Sequence, residues 1–237
     1  MKNVILSFLF AFGVTTAFSQ VQVVDDLNAE PRKIDGSYNK IIVAGGIDVY
    51  LTQSTSEGIV VSASEQKFKD AIKTEIKDNT LKIYFDGERS WGFRNKNLRA
   101  YISFREIELL DVSGASDVVV AGNIASSNLT MKFSGASDFK GAVQVVNLDL
   151  NLSGASDIQI SGSVSMLNIL SSGASDVAGF ALNANFCKAS ASGASDIDIS
   201  VMDELTAEAS GSSEIRYRGN PSIKGLNKSG SSSIKKG

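Results

Sequence analysis

Apolar residues alternate with polar ones in short segments that recur through the second half of the chain. Alternation at every second position indicates β-strands with one buried face. No recurring unit carries apolar residues at the i, i+3 and i+4 spacing of an amphipathic helix. The alternating sets are Leu129/Met131/Phe133, Leu148/Leu150/Leu152, Leu167/Ile169/Ser171, Cys187/Ala189/Ala191 and Leu205/Ala207/Ala209.

A pentapeptide, Ser-Gly-Ala-Ser-Asp, follows four of these five sets. It first occurs at 113–117 and returns unchanged from Ser134, Ser153, Ser172 and Ser192, with altered copies from Ser210 and Ser229. Start-to-start intervals of 18 to 21 residues indicate stacked, similar units. Three short strands and tight corners fill such a unit, so the pattern predicts an all-β, single-stranded parallel β-helix whose coils lie ~4.8 Å apart.

The pentapeptide is predicted to form a corner between strands. Glycine permits a positive φ or a close backbone approach, and Ser and Asp side chains can bond loose corner amides. These corner residues are therefore assigned a structural role. They are Gly114, Asp117, Gly135, Asp138, Gly154, Asp157, Gly173, Asp176, Gly193 and Asp196.

The stacked aspartates leave two interpretations open. Neighbouring carboxylates repel by ~1 kcal/mol even in water, so either corner amides and water offset the repulsion or Ca²⁺ lies between coils. Calcium-binding β-rolls use a nine-residue Gly-Asp repeat, which this chain lacks. The first interpretation is favoured, and no metal ligand or cofactor is assigned.

The first half of the chain is less regular. Lys2, an apolar run over residues 4–12 and Ala17-Phe18-Ser19 predict a signal peptide at 1–19. Residues 20–37 are interpreted as an N-terminal arm and 38–237 as one β-helix domain, irregular over 38–108 and regular over 109–237. We expect a degenerate first corner at 45–49, and a short helix over 66–76 covering the open end of the coil.

Composition restricts the chemistry. The chain has no His, which excludes Ser-His and Cys-His catalysis and His-bearing zinc sites. Its only cysteine, Cys187, falls in a column of leucines and is expected to be a core residue. A net charge of −3 argues against nucleic-acid binding, and no later stretch is long and apolar enough to span a membrane.

Residues 86–97 form the longest polar interruption and contain the candidate ligand contacts. Arg89, Trp91, Phe93 and Arg94 could stack on a sugar ring and bind an anionic group. The favoured alternative is that the two aromatic side chains plug the end of the coil.

Three stretches resemble a known family. They are residues 45–51 (Gly-Gly-Ile-Asp-Val-Tyr-Leu), 97–104 (Asn-Leu-Arg-Ala-Tyr-Ile-Ser-Phe) and 110–117, which leads into the repeated corners. The chain is similar over about 38–237 to the auto-transporter adhesin head (head GIN) domain family of Bacteroidetes. The resemblance implies a right-handed parallel β-helix and export to the periplasm, the outer membrane surface or the extracellular space. It carries over no site residue.

We therefore expect a non-enzymatic cell-surface or periplasmic adhesion module that presents repetitive polar faces to a glycan or a protein. Two such faces are predicted: Lys132, Asn151, Ser190 and Glu208 on one, and Lys140, Gln159, Asp198 and Arg216 on the next. An envelope scaffold without a specific ligand is the nearest alternative. A polysaccharide-active enzyme is less favoured, because so short a period leaves few residues to wall a cleft.

Overall fold

A computed structural model describes residues 26–88 and 96–237. Within those ranges one helix and one mostly parallel sheet wind into a β-solenoid of about seven coils of about 19 residues. The elements are β1 (Glu30–Pro31), β2 (Lys40–Ala44), β3 (Asp48–Gln53), β4 (Gly58–Ser62), α1 (Gln66–Ala71), β5 (Ile72–Lys77), β6 (Thr80–Phe85), β7 (Arg99–Phe104), β8 (Leu109–Val112), β9 (Val118–Phe133), β10 (Phe139–Leu152), β11 (Asp157–Ser171), β12 (Asp176–Ala191), β13 (Asp196–Ala209), β14 (Glu214–Arg218), β15 (Ser222–Lys228) and β16 (Ser233–Lys236).

The regular coils stack in register, as the repeat predicted. From β9 to β13 each strand pairs in parallel with the next, so Leu129, Leu148, Leu167, Cys187 and Leu205 form one buried column. The prediction of three short strands per coil is wrong in detail. Each of these coils is one strand of 14 to 16 residues, because the ladder continues around the second bend through register shifts such as the one between Gln159 and Ser161.

The pentapeptide corners lie directly on one another. Gly135 and Gly154 have φ values of 84° and 87°, which only glycine adopts without strain. The backbone N–H of Ala155 donates to the carbonyl of Gly135 at 2.8 Å, and the same bond recurs between successive corners. A Cβ at Gly154 would overlap that carbonyl, so the corner requires glycine for its close approach as well as for its φ.

The first coil is built from β2 and β3, and the degenerate corner predicted at 45–49 is present. A Cβ at Gly114 would lie 3.2 Å from the nitrogen of Gly45, and the backbone N–H of Ile47 donates to Ser116 Oγ at 3.1 Å. The strands that follow do not stack in the order of the sequence. Strands β6 and β7 pair with one side of β2 and β3, and β8 and β9 pair with the other.

Antiparallel strands cover the N-terminal end of the solenoid. Strand β4 pairs with β7, and β5 pairs with β6. Helix α1 packs there and buries Phe68 completely. The helix predicted over 66–76 ends at Ala71, because β-branched residues at 72, 74 and 76 favour a strand that pairs with β6.

Candidate binding surface

One outward-facing column and the corner serines beside it form a concave, solvent-open feature on the solenoid surface. The ladder aligns Asp111, Lys132, Asn151, Leu170 and Ser190 on five successive strands, β8 to β12. At one coil every ~4.8 Å, that column is about 19 Å long. We call the feature the serine groove; its volume is about 470 Å³. It is lined by Asp111, Lys132, Phe133, Ser134, Asn151, Leu152, Ser153, Leu170, Ser171, Ser172, Ser190 and Ser192.

The first serines of four corners line this groove, but they differ in hydrogen bonding. Ser172 Oγ donates to the carbonyl of Leu152 at 3.1 Å, and Ser192 Oγ donates to that of Ser171 at 3.4 Å. Within the described residues, the hydroxyls of Ser134 and Ser153 have no intramolecular partner. Two coils of the groove therefore present free hydroxyl groups.

The side chains beside those two hydroxyls are also unbonded. Lys132 and Asn151 make no side-chain hydrogen bond or ion pair in the part of the chain that is described. Amides elsewhere on the coils bond between strands: Asn147 Nδ2 donates to Asn128 Oδ1 at 2.8 Å, and Asn168 Nδ2 donates to Asp149 Oδ1 at 3.1 Å. The serine groove thus concentrates polar groups that the fold itself does not satisfy.

The fourth residue of each corner has a different, structural role. Ser116, Ser137, Ser156, Ser175 and Ser195 are each fully buried. Each hydroxyl donates to the carbonyl three residues earlier, as Ser195 Oγ does to Ser192 at 2.9 Å. These hydroxyls satisfy buried backbone groups and are not available to a ligand.

The corner aspartates form an exposed column that bonds along its own length. The backbone N–H of Asp157 donates to Asp138 Oδ1 at 3.1 Å, and that of Asp196 donates to Asp176 Oδ1 at 3.3 Å. Partial burial raises the pKa of Asp157, and the neighbouring carboxylates of Asp138 and Asp176 raise it further. In the described residues no three Asp, Glu, Cys or His side chains are grouped closely enough to hold a metal ion. These contacts match the amide-bonded interpretation of the column.

An apolar ridge lies on another edge of the solenoid. Val146, Met166, Phe186 and Met202 lie on four consecutive coils, and between 43% and 59% of each residue is exposed. Met166 and Phe186 are direct ladder partners, whereas Val146 and Met202 lie one and two positions out of register with them. The alternation pattern did not predict the ridge, because these residues precede the alternating buried positions and lie at a bend. Exposed apolar patches are typical of contact surfaces.

The loop residues proposed as ligand contacts lie outside the described residues. Arg89, Trp91, Phe93 and Arg94 fall in the segment between β6 and β7. Residues 1–25, which include the predicted signal peptide, are also outside the described ranges. The one helix that is described, α1, is only six residues long, and no described helix could cross a membrane.

The fold and its stacked corners define a β-solenoid of short repeats. The family model described as "Putative auto-transporter adhesin, head GIN domain" matches residues 37–221, so the chain belongs to that family.

Solved structures share the fold. A Bacteroides fragilis protein described as a putative adhesin matches with a TM-score of 0.82 and 24% identity, over 88% of this chain and 95% of its own. A Parabacteroides distasonis protein with the same description matches with a TM-score of 0.70 and 20% identity, over 88% and 96%. Another protein from that organism, described as a putative lipid binding protein, matches with a TM-score of 0.62 and 20% identity, over 90% of this chain and 98% of its own. No curated protein matches the sequence.

Proposed function

We propose that the chain is a non-enzymatic adhesion module, exposed at the cell surface, that presents the repeated polar faces of its solenoid to a glycan or a protein. One observation carries the proposal. Coils in register repeat the same outward positions, and the serine groove leaves polar groups of two adjacent coils unbonded. A rigid column of unsatisfied donors and acceptors favours repeated contacts with an extended partner.

Two features favour binding over catalysis. The chain has no His, and the regular coils consist almost wholly of strand and tight corner, without long insertions to wall a cleft. The corner carboxylates are the obvious acid/base candidates, yet they are exposed, and Asp138 accepts a bond from the next corner. Catalytic carboxyl pairs need a substrate cleft between them.

Two features also support surface exposure. The family to which the chain belongs is named for adhesins. The predicted signal peptide at 1–19 would export the protein, and burial in the solenoid accounts for the only cysteine without a disulfide.

A solid-phase assay tests the proposal. The mature chain, coated on beads, is exposed to a glycan array, to mucin and to extracellular-matrix proteins, with coated albumin as the control. We expect saturable binding to at least one surface. Failure to bind any of them would favour the scaffold alternative, and turnover of a polysaccharide that single carboxylate changes abolish would favour the enzyme.

The predicted loop contacts have their own variant. Replacing both Trp91 and Arg94 by Ala removes the proposed ring-stacking and anion-binding groups. Loss of array binding in this variant would assign recognition to the loop. Unchanged binding would agree with the alternative in which the loop aromatics only close the end of the coil.

A further inference from the structure

We propose that the serine groove is a binding site for a neutral glycan chain lying along the solenoid axis. The inference rests on the proposed adhesion function and assigns it a place and a ligand class. It depends on residues that no resemblance identified, chiefly Lys132, Ser134, Asn151 and Ser153.

The unbonded groups match the chemistry of sugar hydroxyls. Lys132 only donates hydrogen bonds, whereas the Asn151 amide and the hydroxyls of Ser134 and Ser153 both donate and accept. A sugar hydroxyl also does both, so one ring can engage several of these groups at once. All four groups are accessible to solvent and bond water in the free protein, so a bound polyol would replace that water with direct hydrogen bonds.

Charge favours an uncharged ligand. The groove contains one anion, Asp111, and one cation, Lys132, on adjacent strands, and they form no ion pair. Each corner whose first serine lines the groove ends in an aspartate, so a negative column lies at the far end of these corners: Asp138, Asp157, Asp176 and Asp196. The negative electrostatic potential of this column would repel a polyanion.

Leu170 supplies the apolar contact that a sugar ring needs. It lies between Asn151 and Ser190 in the column, and 46% of it is exposed. The C–H face of a pyranose could pack on this side chain while its hydroxyls reach the neighbouring polar groups. No exposed aromatic ring lines the groove, so we expect each sugar to bind weakly and an extended chain to bind better than a monosaccharide.

The repeat sets the direction of the ligand. The Lys132 and Ser134 pair on one coil is followed ~4.8 Å along the axis by the Asn151 and Ser153 pair on the next. A chain parallel to the axis meets two similar sets of donors, whereas a chain across the axis meets one. A volume of about 470 Å³ is within the ~300–1,000 Å³ range of small-ligand sites.

A matched pair of double variants tests the site. Lys132→Ala with Asn151→Ala removes the groove groups. Lys140→Ala with Gln159→Ala removes a similar cation and amide that are paired in the same way on another face. All four side chains are on the outer surface, so circular dichroism and thermal melting should match wild type for both proteins.

The probes are cellohexaose, chitohexaose and maltohexaose, with hexagalacturonate as the anionic comparison, measured by isothermal titration calorimetry. We expect wild type to bind at least one neutral hexasaccharide more tightly than hexagalacturonate. The groove variant should weaken that binding about tenfold or more, the loss expected from two or three hydrogen bonds, and the other double variant less than about twofold.

Three results would overturn the site: no neutral hexasaccharide binds wild type, both double variants bind equally, or hexagalacturonate binds best. Its failure can be told apart from failure of the adhesion function. If both variants still attach to the bead-assay surfaces like wild type, the module adheres through another face and only the groove assignment is wrong.

Discussion

The backbone N–H of Asp157 donates to Oδ1 of Asp138, 3.1 Å away on the preceding coil. The corner therefore bonds a carboxylate and at the same time brings the next carboxylate near it. Partial burial and the charges of Asp138 and Asp176 raise the pKa of Asp157, so the column loses stability when it is fully ionised.

Replacing Asp157 with Asn should stabilise the protein at neutral pH. The pKa of Asp157 is raised in the folded chain, so its ionised form destabilises the fold above that pKa, and protonation relieves this as the pH falls toward 3.8. We expect the variant to gain about 0.5 kcal/mol in unfolding free energy at pH 7, and the gain to vanish near pH 3. Urea denaturation at both pH values measures it.

Asp149→Asn is the control for that experiment. Asp149 is exposed on the preceding coil, outside the acidic column, and accepts a hydrogen bond from Asn168. It should show no gain at pH 7. An equal gain in both variants would mean that total charge, and not the stacked column, limits stability.

Gly154→Ala should be far more destabilising than Gly122→Ala. The two glycines have φ values of 87° and 85°, so alanine meets a similar backbone strain of about 1–2 kcal/mol at each. A Cβ at Gly154 would also overlap the Gly135 carbonyl, whereas a Cβ at Gly122 has nothing within 4 Å. We expect Gly154→Ala to cost about 2 kcal/mol more, because two coils must separate.

Chemical denaturation of the two glycine variants provides the comparison. Equal losses for the two would show that φ alone requires glycine at the corner. A loss of the hydrogen bond between Ala155 and Gly135, seen as faster exchange of the Ala155 amide in Gly154→Ala alone, would locate the damage.

The Cys187 thiol should react only when the coils open. Only 5% of the residue is exposed, and burial raises the pKa of its thiol to about 12. A disulfide reagent at pH 8 should therefore label the native protein slowly and the urea-unfolded protein at once. Lys188→Cys in a Cys187→Ala background, at the adjacent exposed position, should react quickly in the native state. Rapid labelling of native wild type would contradict the buried column.

The sequence predicted the regular coils well because each unchanged corner repeats one local conformation. It did not locate the second bend, where a Cβ at Gly162 would overlap the Val143 carbonyl, because only three of six repeats have a glycine at that distance from the corner, namely Gly122, Gly162 and Gly219. Nor could it place β6 and β7 outside β2 and β3, since that order depends on pairing between distant segments.

The sequence predicted only part of the serine groove. Lys132 and Asn151 were recognised as part of an outer polar face. The difference between Ser153 and Ser172 was not, because the two serines stand in identical pentapeptides. Of these two serines, only Ser172 donates its hydroxyl to the preceding coil, and that depends on side-chain conformation.

Amides beyond about Asn220 should exchange fastest among the regular coils. The buried side chains become smaller along the solenoid, from Leu129, Met131 and Phe133 to Leu205, Ala207 and Ala209. Each large side chain that is replaced by alanine removes about 2 kcal/mol of hydrophobic stabilisation.

The decrease in buried apolar side chains continues into the final strands. Strands β15 and β16 pair with β13 and β14, and Ile223 and Leu226 are 42% and 39% exposed. Hydrogen exchange followed by mass spectrometry should show protection falling from β12 to β16, since local opening is easiest where burial is least. Uniform protection up to Gly237 would contradict this decrease in stability along the solenoid. If that protection also weakened on dilution, a second molecule would have to cover the last coil.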